Sequence, residues 1–158
     1  MNYIYYTILF LLSIGVSFAG SNKQANFKPQ MLELAYQQQE SSLSGLLSEL
    51  SDGIKPKAYK KAWKNESAAW KDKVNNAADV TELSKAMLSL AENIKEGSYK
   101  PSWEKNLPKW TKQVKEARSH LALAGLLKTL YNNLNQEAFN DTWKEKSAQW
   151  VETLGKIE

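Results

Sequence analysis

The chain of 158 residues has no cysteine, a single histidine and only four prolines. Without cysteine there can be no disulfide, thiol nucleophile, thiolate metal site or lipid attachment at sulfur. With His120 as the sole imidazole, a zinc site would need carboxylates, and no Asp or Glu cluster has ligand spacing. His120 itself, at a helix start, is expected to be exposed or capping. Gly-rich phosphate loops and serine nucleophile motifs are missing as well. Carboxylate pairs for acid–base work could arise only across helices. No stretch alternates as a strand would, and after residue 18 no apolar run is long enough to span a bilayer. The expectation is a protein that is not an enzyme and needs no metal or cofactor.

What is present begins with an uncharged leader, "MNYIYYTILFLLSIGVSFAG", apolar from Tyr3 to Phe18. Ser17 and Ala19 are small residues at the −3 and −1 positions of a cleavage site, as in a secretory signal peptide over 1–19. The missing charged n-region leaves a signal anchor over 3–18 as the alternative. The polar segment 20–30 is read as a flexible linker, and "MLELAYQQQE" as one short N-terminal helix. A disulfide-free exported domain favours a bacterial source over an animal one.

Residues 31–158 then read as one domain built on a period of 40. Leu43, Leu83 and Leu123 correspond; so do Leu47, Met87 and Leu127, then Leu50, Leu90 and Leu130, then Ile54, Ile94 and Leu134. A second block matches Tyr59, Tyr99 and Phe139, followed by six tryptophans in register: Trp63, Trp70, Trp103, Trp110, Trp143 and Trp150. Val74, Val114 and Leu154 follow, and Ala77, Ala117 and Ile157 close the pattern. Internal repeats of this length are stacked supersecondary units. The units run over about 39–78, 79–118 and 119–158.

Each unit predicts two helices. Leu43, Leu47, Leu50 and Ile54 form a narrow stripe at helical spacing, and the aromatic block falls on one side of a second helix. Expected helices are 42–53, 57–76, 79–95, 100–117, 119–134 and 137–155. Gly53 with Pro56, and Gly97 with Pro101, mark the turns; Ser98 and Asn135 are candidate caps. Asp79 three residues before Glu82 approximates a capping box. Pro108 should kink its helix or delay its start. The fold class is therefore all-α: three tandem helical hairpins, as a short α-solenoid-like array or a bundle, plus the N-terminal helix. Residues 110–134, "WTKQVKEARSHLALAGLLKTLYNNL", resemble a Trp-rich helical motif of chromatin-remodeller subunits in their apolar columns, a likeness of helix packing alone.

The tryptophans are expected in the core. Each buried indole removes about 150–250 Å² from water, roughly 4–6 kcal/mol of gross burial. Charge is uneven: Lys55 to Lys73 holds seven basic and two acidic residues, and Lys95 to Arg118 seven and three. A mild cationic side favours acidic partners. Lys60, Lys61, Lys64, Lys100, Lys105 and Lys112 are the candidate binding residues. Tyr36 and Tyr131 lie outside the repeated columns and are further contact candidates. "NES" at Asn65 and "NDT" at Asn140 fit a glycosylation sequon, but read as ordinary surface residues in a bacterium.

The expected function is an exported binding or adaptor module, periplasmic or secreted, for a protein, peptide or acidic envelope polymer. The alternative is a membrane-tethered structural or assembly subunit, touching the membrane only through an uncleaved N-terminus. No nucleic-acid partner is expected.

Overall fold

The computed structural model describes residues 43–157. The leader, the linker and the N-terminal helix expected near 31–40 lie outside them. Six α-helices and no strand are found among the described residues. They are α1 (43–53), α2 (Trp63–Asn75), α3 (Val80–Asn93), α4 (Trp103–Glu116), α5 (His120–Asn132) and α6 (Asp141–Leu154). The described residues form an all-helical fold, as the periodicity predicts.

The odd-numbered helices are the more deeply buried. Leu47, Leu50, Met87, Leu90, Leu123, Leu127 and Leu130 are 0% exposed. The even-numbered helices carry the aromatics inward and a charged face outward. Two of the odd-numbered helices are capped by side chains, α3 as its sequence suggests. The Glu82 amide donates to Asp79 Oδ1 at 2.9 Å, and Glu82 Oε2 accepts from the Ala78 amide at 2.8 Å. Ser119 Oγ accepts from the Ala122 amide at 3.2 Å.

The aromatic helices start later than expected, at Trp63, Trp103 and Asp141 instead of 57, 100 and 137. The residues before them form an extended connector around a 3-10 turn: Pro56–Ala58, Glu96–Ser98 and Gln136–Ala138. Lys55, with ψ 141°, and Tyr59, with ψ 154°, hold the first turn between extended residues. The backbone groups that a helix would have paired internally instead pair between connectors. The Lys95 amide donates to the Ala58 carbonyl at 2.9 Å, Asn135 to Ser98 at 2.9 Å, and Lys55 to Ala138 at 2.8 Å. Isolated antiparallel bridges join Tyr59 to Ile94, Tyr99 to Leu134, and Ile54 to Phe139. The pairing thus passes from the first unit to the second, the second to the third, and the third back to the first. The series closes.

Asn135 is not a helix cap; its amide Nδ2 donates to the Tyr99 carbonyl at 2.8 Å. Ser98 sits within its 3-10 turn, and its hydroxyl donates to the Ala58 carbonyl at 3.3 Å. Helix α4 runs through Pro108 and starts where its counterpart α2 starts, at the first tryptophan. No described helix is long and apolar enough to cross a membrane.

Candidate functional site

The six tryptophans are 2–5% exposed, which leaves little indole surface for a ligand. Their spacing sets up a repeated ring contact. Tyr59 stacks on Trp63 at 5.1 Å, and Trp63 meets Trp70 at 5.2 Å and 58°. Tyr99, Trp103 and Trp110 repeat this at 5.4 and 5.4 Å, and Phe139, Trp143 and Trp150 at 5.7 and 5.5 Å. The second indole of each set donates its N–H to the next unit's first helix. Trp70 reaches Ala86, Trp110 reaches Leu126 and Trp150 reaches Leu46, each at 2.9 Å. An N–H aimed at the second lone pair of a helix carbonyl is satisfied in a dry layer.

Tyr59 and Tyr99 donate their phenolic O–H groups to the Ser51 and Ala91 carbonyls at 2.9 and 2.8 Å. Burial pushes both phenols far above the ordinary tyrosine range; for Tyr59 the Ser51 hydroxyl partly opposes this. His120, expected to be exposed or capping, is buried at the start of α5; the matching position in α3 is Val80, which also packs against the core. Among the described residues no group of three or more His, Cys, Asp or Glu could hold a metal ion.

The grooves on the surface differ in charge. One of about 850 Å³ lies between α2 and α3 and carries Glu66, Lys73, Glu82 and Lys85, an even balance. Its counterpart between α6 and α1, about 600 Å³, carries Glu49, Asp52 and Lys146. A third, of about 560 Å³, runs along the first connector and the start of α2. It gathers Lys60, Lys61, Lys64, Lys71 and Lys95 around one acid, Asp52. Of these three grooves, this one presents a field of essentially one sign, and a cleft with low-dielectric walls concentrates such a field.

All six candidate lysines are exposed, but the fold does not bring them together. Lys60, Lys61 and Lys64 line the basic groove; Lys100, Lys105 and Lys112 do not. The Lys100 ammonium donates to the Asn132 carbonyl, and Lys112 faces Glu116 at 3.9 Å. Two groove members escaped the sequence reading. Lys71 is held by Asp52 at 2.5 Å, and Lys95 by the Lys57 carbonyl at 2.6 Å. Comparing residues 40 apart would have flagged Lys71, whose counterparts are Thr111 and Val151.

Asn140 is more than a surface sequon residue. Its Oδ1 accepts from the Trp143 amide at 2.8 Å, capping α6, and its Nδ2 donates to the Asp52 carbonyl at 2.8 Å. Asn65 is exposed on α2. Tyr131 packs against Phe139, Trp143 and Trp150, which gives it a place in the core. Tyr36 lies outside the described residues. The chain matches no protein-family model, no curated protein and no solved structure.

Proposed function

We propose that this chain is an exported, non-enzymatic helical-repeat module of three 40-residue units that binds an acidic partner through its lysine-bearing surface. The observation that supports this reading is the groove with five lysines and one acid. The tryptophans are consumed by packing, so among the described residues charge is what the surface has to offer a partner. Export, to the periplasm or the medium, rests on the apolar run 3–18 and the small residues Ser17 and Ala19. The same run, lacking a charged n-region, supports a second reading as a membrane-tethered assembly subunit. Mass spectrometry of the mature N-terminus separates the two: a start at Gly20 favours release, and a retained leader favours tethering.

The binding itself is tested by recovery of partners from envelope or culture fluid at rising salt. Exposed charges interact over a Debye length of about 8 Å at physiological salt, so recovery should fall as salt rises. Replacing Lys60, Lys64 and Lys105 by Glu should lower recovery with the helical circular dichroism unchanged. Recovery indifferent to both would reject the basic surface.

A further inference from the structure

We propose that the groove of Lys60, Lys61, Lys64, Lys71 and Lys95 is a site for a linear polyphosphate-type anion, a chain of adjacent phosphate groups. The corresponding positions of the other two units are not such a site. This rests on the reading of the protein as a binder of acidic partners, and narrows it to one groove and one chemistry.

The internal repetition provides its own control. Forty residues on, the same five positions hold Lys100, Pro101, Glu104, Thr111 and Asn135, beside Glu92: one cation and two anions. In the third they hold Asn140, Asp141, Lys144 and Val151, with Lys55 completing the closed series beside Asn132: two cations and one anion. There Lys144 is paired with Asp141 at 2.8 Å. The scaffold folds around all three sets, so nothing in its packing requires five lysines in the first. Nor are three of the five used internally. Lys100 and Asn140 bind the neighbouring unit's carbonyls, yet Lys60, at the matching place, makes no such bond among the described residues; neither do Lys61 and Lys64. Lys71 and Lys95 are fixed in position by their bonds, so the groove offers two held cations and three free ones.

The spread of charge selects the ligand. At about 1.5 Å per residue, Lys64 and Lys71 stand about 10 Å apart along α2, too far for one phosphate and suited to a chain of them. A peptide gains little here. The apolar lining, Ile54, Tyr59 and Trp63, is 3–6% exposed and offers no pocket for an anchor. The connector already pairs with both of its neighbours, so a strand cannot be added to it. The groove has no arginine, whose planar fork would grip a carboxylate or a phosphate in two places; its lysines act as point charges, which a chain of phosphates can meet one after another. A membrane surface is also disfavoured. The large apolar side chains exposed among the described residues, Leu107 and Leu121, belong to other units.

The test titrates the full chain calorimetrically with linear sodium polyphosphate at low salt, against two charge-matched variants. Lys60→Glu/Lys61→Glu/Lys64→Glu should weaken binding about tenfold or more, and Lys100→Glu/Lys105→Glu/Lys112→Glu less than about threefold, because only contacted cations release counterions. Both should keep the parent's far-ultraviolet circular dichroism. Equal weakening by the two variants would overturn the groove while leaving an acidic partner in place. Poly-L-glutamate binding as tightly as polyphosphate would overturn the phosphate assignment. Binding to phosphatidylglycerol vesicles but not to free polyphosphate would replace the soluble polymer with a membrane surface. No binding to any of the three probes at low salt would remove both this site and the acidic-partner reading.

Discussion

Two of the three seams between units join segments adjacent in the chain, while the third brings the far end back to α1. Trp70 and Trp110 each reach a carbonyl 16 residues away; Trp150 reaches one 104 residues away, at the same 2.9 Å. Loop-closure entropy grows with the logarithm of length, so the last bond costs about 1.5–2 kcal/mol more to bring together. The closing seam is also where the repeated columns change. Asparagine caps α6 and bonds to the Asp52 carbonyl where the other units have Lys60 and Lys100. Gly53 replaces Asn93 and Asn133, and a Cβ there would meet Trp143 Cε3 at 2.2 Å. Tyr131 packs behind the aromatic set, where the other units have Ser51 and Ala91 and where their tyrosine O–H bonds to backbone. The costliest seam has the most specialised packing.

The largest effect that would sharpen this contrast is truncation of an indole at each kind of seam. Trp70→Ala and Trp150→Ala should each lose about 3–5 kcal/mol in urea denaturation. Trp150→Ala should in addition expose α6 to protease below the global transition, because no short linker holds that seam. Equal proteolysis of the two variants would dissolve the distinction. Next comes Gly53→Asn, which makes the first unit match the others. With Trp143 in its way it should cost about 1–3 kcal/mol. A neutral result would mean that Trp143 can shift and that the glycine is incidental.

Smaller effects test the phenols. Tyr99→Phe should cost about 0.5–1.5 kcal/mol, read from chemical denaturation, through loss of the bond to the Ala91 carbonyl. Phe139→Tyr should not gain that amount, because Tyr131 occupies the matching position. The smallest effect is in alkali. The folded-state phenols of Tyr59 and Tyr99 are raised by burial, so their contribution is complete below the unfolded value of about 10. Above it, the unfolded chain releases protons that the folded chain keeps, and stability falls as pH climbs toward the folded-state values. The double Phe variant should therefore lose less stability between neutral and alkaline pH than the parent. An unchanged slope would remove the two phenols as its source.

Much of this was legible in advance because apolar columns 40 residues apart leave few alternatives to paired helices. The stripe from Leu43 to Ile54 and the capping residues of α3 were read directly. The late start of the aromatic helices was not, since Lys55 to Tyr59 has helix-compatible residues and becomes extended only because another connector pairs with it. A period says that units follow one another, not that the third meets the first; no residue pattern encodes that angle. The basic groove was half visible. Lys60, Lys61 and Lys64 stand together in sequence, but Lys95 joins them only through the pairing of Tyr59 with Ile94, and Lys100 stands at the matching place of the next seam, on the Asn132 carbonyl.

Closure also restricts how such a chain can change by duplication. An open stack can gain or shed a copy through unequal recombination, because its last unit always presents the surface that receives another. Here Trp150 already occupies the Leu46 carbonyl, and the third connector already pairs with the first. A fourth copy would have to break that seam and re-form it across a wider circle. Substitution on the outer faces leaves the seam intact, and it is there that the lysines of the basic groove stand.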